Sequence, residues 1–100
     1  TMAHVEDAKE RLILARATHL DSLLARLREK PVRRILAPVL AGTLTLEVGD
    51  AAHEVRAGGA VLFEADRPHT YRNRHKRTIE MVMVVVQPPD VERGAVSHPG

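Results

Sequence analysis

Residues 43–50 read TLTLEVGD, a stretch in which polar and apolar side chains alternate before a Gly-Asp pair. Alternation with a period of two is typical of a β-strand that buries one face, and Gly-Asp is typical of the turn that ends it. Short apolar runs separated by such turns recur along the chain from residue 33 to residue 87. The pattern therefore predicts a mainly β protein, built as a sandwich or a barrel.

The turns divide the rest of this region into further strands. We predict strands at residues 53–56, 60–64, 69–73 and 78–87, with turns at residues 58–59, 66–68 and 74–77 between them. The last strand contains the unbroken apolar run Met81–Val86, which predicts burial on both faces. Pro88 and Pro89 follow this run and would end the strand, because proline has no amide hydrogen to donate.

The N-terminal third of the chain has a helical pattern. Its leucines recur at the spacing of one helix face, at Leu20, Leu23, Leu24 and Leu27. We predict a helix over residues 5–30, with a break near the capping-box pattern Thr18–Asp21 and an end at Pro31. The apolar face of this helix predicts packing against the core or against a second copy of the chain.

A chain of 100 residues has the length of one domain. We assign residues 1–32 to a helical N-terminal arm, residues 33–89 to a β-barrel and residues 90–100 to a loose, polar C-terminal tail. The barrel region holds five or six predicted strands, fewer than the roughly eight of a complete jelly roll. We therefore expect an incomplete barrel, closed by the helix or by a second copy in a homodimer.

The composition narrows the classes of function. The chain has no cysteine, which excludes disulfides, thiolate zinc sites and cysteine nucleophiles. Phe63 and Tyr71 are its only Phe, Tyr or Trp residues, so a stacking surface for single-stranded nucleic acid is excluded. No apolar run approaches the roughly 20 residues of a membrane span, and we expect a cytoplasmic protein without a membrane partner. The net charge of +2 predicts an ordinary mixed-charge surface.

Two segments resemble the motifs of the cupin superfamily. Residues 40–49, LAGTLTLEVG, resemble the strand that closes the first cupin motif, and residues 58–69, GGAVLFEADRPH, resemble the second. The second motif has a glycine turn, a proline before a histidine and an asparagine four residues later, here Pro68, His69 and Asn73. Residues 64–73 resemble in particular the cupin domains attached to helix-turn-helix transcription regulators. The resemblance implies a cupin-like jelly-roll barrel, here with a helical N-terminal segment.

The resemblance and the strand period together point to one candidate pocket. With a period of two, His69, Tyr71 and Asn73 share one face of their strand. If that face lines the barrel interior, an imidazole, a phenol and an amide converge in an apolar cavity, which is the usual form of a small-ligand site. Phe63 would form part of the wall, and Arg67 is a further candidate because its charge would suit an anionic ligand.

Most of the metal ligands of the family have no counterpart here. Metal-binding cupins resemble one another in a first motif with two histidines and a glutamate, and the matching positions are near Glu29, near Pro31 and at Ile35. His69 is the only residue that matches a metal-ligand position of these cupins, whereas a metal site normally takes three or more N or O donors. His53 is expected to face solvent. We therefore expect no firmly bound cofactor; a divalent Fe, Mn, Ni or Zn ion at His69 is the alternative.

These observations favour a small-molecule-binding cupin domain, the sensory or effector-binding part of a transcription regulator, with no catalytic residues. A small metal-dependent cupin enzyme of the isomerase or dioxygenase type is the alternative, and a structural or assembly module is a third reading. The segment before residue 31 lacks the supported helix pair of a helix-turn-helix, and the basic clusters at residues 33–34 and 72–77 are typical of solvated charges. We therefore expect no specific DNA binding by this chain itself.

Overall fold

The computed structural model describes the backbone of residues 4–6 and the whole of residues 11–29 and 31–87. The protein is mainly β, as predicted. Its strands are β1 (His4–Glu6), β2 (Leu12–Arg16), β3 (Arg34–Ala41), β4 (Thr43–Val48), β5 (Ala51–Arg56), β6 (Gly59–Glu64), β7 (His69–Arg72), β8 (Glu80–Met81) and β9 (Val84–Val86). A 3-10 turn at Ala17–His19 leads into the single α-helix of the described residues, α1 (Leu20–Leu27).

The strands form two antiparallel sheets, in the manner of a jelly-roll barrel. The larger sheet has the order β1-β2-β6-β3-β8, and β9 also pairs with β3; the smaller sheet has the order β5-β4-β7. The inner faces of the two sheets enclose one apolar core. Its buried members are Leu12, Ile35, Ala37, Val39, Leu44, Leu46, Val48, Val55, Val61, Phe63 and Ala65. This core is almost entirely aliphatic, as the scarcity of aromatic residues requires.

The outer face of the larger sheet is also buried, because α1 covers it. A second apolar cluster there contains Ile13, Leu23, Leu27, Leu36, Ala60 and Leu62. Successive residues of β2, β3 and β6 therefore enter different cores, as Ile35 and Leu36 do. A strand that is buried on both faces needs apolar side chains at nearly every position, which is why these strands read as continuous apolar runs.

The helix predicted over residues 5–30 is wrong for much of its described length. Residues 4–6 and 12–16 are strands, and β2 pairs with β6 in the register Leu12↔Phe63. The run from Leu12 to Ala15 is apolar because both faces of β2 are covered, and a continuous apolar run does not distinguish strand from helix. The count of five or six strands was consequently too low. The N-terminal segment supplies strands to the larger sheet, and only α1 keeps the predicted helical face.

The predicted strand at residues 78–87 is also different. It is divided into β8 and β9, and the apolar run Met81–Val86 is not buried on both faces, since Val82 and Val85 are each 47% exposed. Within the described residues β8 and β9 pair only with β3, so they form an edge of the larger sheet. An edge strand has a neighbour on one side only, which leaves its side chains less covered. The predicted stop at Pro88 and Pro89 and the tail at residues 90–100 lie outside the described residues.

A buried arginine fastens α1 to the larger sheet. Arg34 is 1% exposed, and its Nη1 donates a hydrogen bond to the carbonyl oxygen of Arg26 in the last turn of the helix. Its Nη2 lies 3.9 Å from Oε2 of Glu64, and Oε1 of the same carboxylate lies 3.6 Å from Nε of Arg11. A buried guanidinium requires such partners, because an unpaired buried charge costs several kcal/mol.

None of the helices in the described ranges has the length and hydrophobicity to cross a bilayer.

Gly42 makes the tight connection between β3 and β4. Its φ is +77°, and a Cβ atom at this position would lie 2.6 Å from the carbonyl oxygen of Thr78. Gly49, in the β4–β5 turn, has a φ of +57°, but nothing lies within 4 Å of a Cβ placed there. Both positions therefore require a residue that tolerates positive φ, while only Gly42 also requires the absence of a side chain.

Candidate functional site

Three aromatic rings meet at the inner face of the two sheets. The ring centroid of Phe63 lies 5.2 Å from that of His69 and 6.3 Å from that of Tyr71, and the His69 and Tyr71 centroids are 5.6 Å apart. All three pairs are edge-to-face, with interplanar angles of 69°, 67° and 80°. Edge-to-face contact is the favourable geometry for aromatic rings. We refer to Phe63, His69 and Tyr71 as the aromatic triangle.

The two sheets contribute different members of the triangle. On β7, His69 pairs with Val48 and Tyr71 pairs with Leu46, and both partners are core residues, so the two rings project inward. Phe63 belongs to β6 of the opposite sheet and is 1% exposed, whereas His69 and Tyr71 are only half-buried. The triangle therefore has a buried apolar base and two polar rings that are partly exposed.

A backbone contact determines which nitrogen of His69 carries the proton in the neutral ring. Nδ1 lies 2.8 Å from the carbonyl oxygen of Arg67. A carbonyl oxygen only accepts hydrogen bonds, so Nδ1 must be the donor. In the neutral tautomer Nε2 then keeps its lone pair, and it is the atom of His69 that is able to accept a hydrogen bond from a ligand or to bind a cation.

Tyr71 is kept as a neutral phenol. Burial raises the pKa of Tyr71 above its usual value of 10, because the charged phenolate is poorly solvated there, and the positive charge of Arg33 partly opposes this effect. At neutral pH the hydroxyl group is therefore fully protonated and available as a hydrogen-bond donor. Beside the Nε2 lone pair of His69, it gives the triangle one acceptor and one donor.

The Cupin domain family matches residues 33–85 of this sequence, which is more than half of the chain. The chain belongs to the cupin family. The match begins just before β3 and includes all three members of the aromatic triangle, while β1, β2 and α1 of this cupin lie outside it. No curated protein and no solved structure matches the chain at a significant level.

Two other residues chosen from the sequence do not join the triangle. Asn73 follows the end of β7 and is exposed; its amide nitrogen donates to the carbonyl oxygen of Arg77 at 2.9 Å, and its side-chain oxygen accepts from the backbone N–H of His75 at 3.0 Å. In this cupin Asn73 therefore stabilises the turn after β7. Arg67 is half-buried, and its Nη2 lies 3.4 Å from the carbonyl oxygen of Arg11. Their role in binding a ligand stays a prediction.

The described residues do not fit a metal centre of the cupin type. Among residues 11–29 and 31–87 no three His, Cys, Asp or Glu side chains come close enough together to hold an ion. Ile35, at the position matching the family's glutamate, is a buried core residue that pairs with Phe63. His53, which was expected to face solvent, is half-buried and pairs with Leu46 on the inner face of the smaller sheet. Within the same residues, His69 therefore belongs to no group of three such side chains.

Arg72, at the end of β7, and Arg74 pair with Glu47 on the opposite, outer face. Oε1 of Glu47 lies 2.9 Å from Nε of Arg72, and Oε2 lies 2.9 Å from Nη2 of Arg74. The hydrogen bond from Arg72 is the main reason that the pKa of Glu47 is lowered from its usual value. These arginines therefore do not supply positive charge to the aromatic triangle.

Sequence reasoning did not select Arg33 and Val85 as candidate site residues. Val85 pairs with Ile35 and so projects from the inner face, although it is 47% exposed. Arg33 lies near enough to Tyr71 for its charge to act on the phenol. No local sequence signal would have identified either residue, because their positions depend on the register of β3 with β6 and β9.

Proposed function

We propose that this cupin domain binds a small organic molecule at the aromatic triangle. The observation that carries the proposal is the placement of two half-buried polar rings, His69 and Tyr71, against the fully buried ring of Phe63. An apolar surface with a few convergent polar groups is the general form of a small-molecule site. The Nε2 atom of His69 would accept a hydrogen bond from the ligand, and the hydroxyl group of Tyr71 would donate one.

We further propose that binding serves regulation, with the domain acting as the sensory part of a transcription regulator. The support for this finer assignment is the resemblance of residues 64–73 to cupin domains attached to helix-turn-helix regulators. On this proposal the ligand favours one arrangement of two associated copies over another, and the difference in its affinity for the two arrangements supplies the signal.

A fragment screen by protein NMR tests the binding proposal. Fragments that bind at the triangle will shift the resonances of His69 and Tyr71, and His69→Ala will weaken their binding by about tenfold, the effect of removing one hydrogen bond to a ligand. His19→Ala is the matched control, because His19 is an exposed histidine before α1. Fragment binding that is unaffected by His69→Ala would contradict the proposal. If His69→Ala unfolds, Tyr71→Phe provides the same test through loss of the donor.

The metal-dependent enzyme remains a second candidate because of one contact. The bond from Nδ1 of His69 to a backbone carbonyl leaves Nε2 free, and metal-binding histidines are commonly oriented in this way. Elemental analysis of the purified protein separates the candidates. Iron, manganese, nickel or zinc at one ion per chain, lost in His69→Ala, would favour the enzyme and contradict a metal-free binding site.

We propose a homodimer that forms through the edge made by β8 and β9. Leu40, at the end of β3, is 62% exposed and Val82 is 47% exposed, and the backbone N–H of Val82 donates to the carbonyl oxygen of Pro38 on β3. The exposed side chains of Leu40 and Val82 are apolar, and antiparallel pairing of two such edges is self-complementary. Light scattering at micromolar concentrations will give the mass of a dimer, and Val82→Lys will give the mass of a monomer. A monomeric wild-type protein refutes the proposal.

A further inference from the structure

We propose that the ligand of the aromatic triangle is a carboxylate with an apolar body, and that Arg33 binds its carboxylate group. The inference rests on the proposed function, since it names the chemical class of the molecule that the triangle binds. It depends on three features: the side from which Arg33 projects, the partners of its guanidinium, and the exposed apolar surface next to it.

The register of the larger sheet places Arg33 on the inner side. Its carbonyl oxygen accepts a hydrogen bond of 2.9 Å from the backbone N–H of Ala65, which continues the register Arg34↔Glu64 and Ile35↔Phe63 by one residue. Ala65 belongs to the inner core, as Ile35 does. Because side chains alternate along a strand, Arg33 projects from the inner side, next to Ile35, at the end of the sheet.

Arg33 and its neighbour Arg34 lie in different environments. Arg34 projects to the outer side, where the carbonyl oxygen of Arg26 and the carboxylate of Glu64 neutralise it. Arg33 is exposed, and no carboxylate of residues 11–29 and 31–87 lies at ion-pair distance from its guanidinium. Its positive charge is therefore available to an anion that enters from solvent.

The charge of Arg33 acts at the triangle itself. Among the groups around Tyr71, Arg33 is the one whose charge lowers the pKa of the phenol, against the larger effect of burial. Together with the inward projection of Arg33, this effect leads us to infer that one ligand reaches both the guanidinium and the phenol hydroxyl. A carboxylate between them would accept hydrogen bonds from both groups, and hydrogen bonds of this charge-assisted kind are stronger than neutral ones.

Next to this polar end lies an apolar surface. Val85 pairs with Ile35 in the row that also contains Phe63, yet Val85 is 47% exposed while Ile35 and Phe63 are 6% and 1% exposed. Met83, two residues earlier on the same edge, is 41% exposed. Covering such surface with the body of a ligand is favourable by about 25 cal/mol per Å². A single cation beside an apolar surface suits a monoanion with a hydrophobic body better than a highly charged phosphate.

Two probes of the same shape test this inference. Benzoate and benzamide differ in charge and have the same ring, and their binding is measured by NMR from the shifts of His69 and Tyr71 at constant ionic strength. We expect benzoate to bind more tightly than benzamide to the wild-type protein. Arg33→Gln should weaken benzoate binding by about tenfold or more and leave benzamide binding within about twofold. Arg56→Gln is the matched control, because Arg56 is an exposed arginine on the opposite, outer face of β5.

The absorbance of tyrosinate gives a second readout that does not depend on any ligand. Tyr71 is the only tyrosine and the chain has no tryptophan, so an alkaline titration reports this residue alone. Arg33→Gln should raise the pKa of Tyr71 further, since it removes the charge that favours the phenolate, and Arg56→Gln should leave it unchanged.

The outcomes separate the inference from the proposed function. If both probes shift the triangle and bind equally, or if Arg33→Gln weakens both equally, the site stands and the carboxylate inference is refuted. If neither probe shifts His69 or Tyr71 at any concentration reached, both the site and the inference are refuted. A Tyr71 titration that is the same in Arg33→Gln as in the wild type also overturns the inference, because the guanidinium would then not lie beside the phenol.

Discussion

Replacing Phe63 by leucine tests whether the aromatic triangle is a coupled unit or three neighbouring side chains. Phe63 is 1% exposed, and its ring makes edge-to-face contacts with His69 at 5.2 Å and with Tyr71 at 6.3 Å. Leucine keeps most of the apolar volume but has no ring. The substitution therefore removes the aromatic contacts while it leaves the core filled.

The contacts set the expected size of the effect. Each aromatic pair contributes about 0.5–1.5 kcal/mol beyond the burial of its surface. The change of shape in a packed core adds up to about 1.5 kcal/mol. We therefore expect Phe63→Leu to lower the free energy of unfolding by about 1–4.5 kcal/mol. For a single domain with a total stability of about 5–15 kcal/mol, the variant should still fold.

Urea unfolding followed by circular dichroism measures this loss, and a double-mutant cycle isolates the ring contact. Phe63→Leu, Tyr71→Leu and the double variant should give a coupling free energy of about 0.5–1.5 kcal/mol. Phe63→Leu combined with Leu27→Ala is the control, because Leu27 lies in α1 on the other side of the larger sheet and the two effects should add. Additive effects of Phe63→Leu and Tyr71→Leu would refute the description of the triangle as a coupled unit.

Three further predictions concern protonation, a buried charge and a turn. Burial raises the pKa of Tyr71, so the unfolded chain loses the phenol proton at a lower pH than the folded protein does. The free energy of unfolding should therefore not depend on Tyr71 below pH 10 and should fall as the pH rises above 10. Tyr71→Phe should abolish this slope in alkaline unfolding experiments. Arg34→Met should lower the free energy of unfolding by about 3 kcal/mol, measured by chemical denaturation, because it leaves the carboxylate of Glu64 buried with one partner fewer. A loss below about 1 kcal/mol would contradict the role given to this pair. Gly42→Ala should lower the melting temperature more than Gly49→Ala, since both residues have positive φ and only Gly42 has a backbone oxygen in the space a Cβ would take; equal shifts would contradict this reason.

The sequence predicted the strands whose alternation is clear. In Thr43–Val48 apolar side chains enter the core and polar side chains occupy the other face, so a period of two is visible, and β4 has the predicted bounds. β2 has no such contrast, because Leu12 enters the inner core and Ile13 enters the cluster under α1. The apolar run of β2 continues the leucine pattern of α1, and this is why the sequence predicts a helix there. Burial on both faces removes the local signal by which a strand is recognised.

The sequence likewise predicted only part of the candidate site. The inward projection of His69 and Tyr71 follows from their spacing on one strand, and the resemblance of residues 58–73 to a cupin motif directed attention to them. The involvement of Asn73 followed from the same spacing, but β7 ends at Arg72 and the amide of Asn73 is used in the turn. A period predicts a shared face only for as long as the strand continues.

The sequence by itself determined the mainly β character of the protein, its family and the face shared by His69 and Tyr71. These properties depend on the order of neighbouring residues, since alternation, turn residues and a short motif are local patterns. Only the tertiary structure decided that Phe63 meets those two rings and that Val85 is left exposed on an edge. It also decided that Arg34 lies beside Glu64, whereas Arg33 has no carboxylate at ion-pair distance among residues 11–29 and 31–87. Burial and charge pairing depend on which strands lie side by side, and that depends on contacts between residues far apart in the chain.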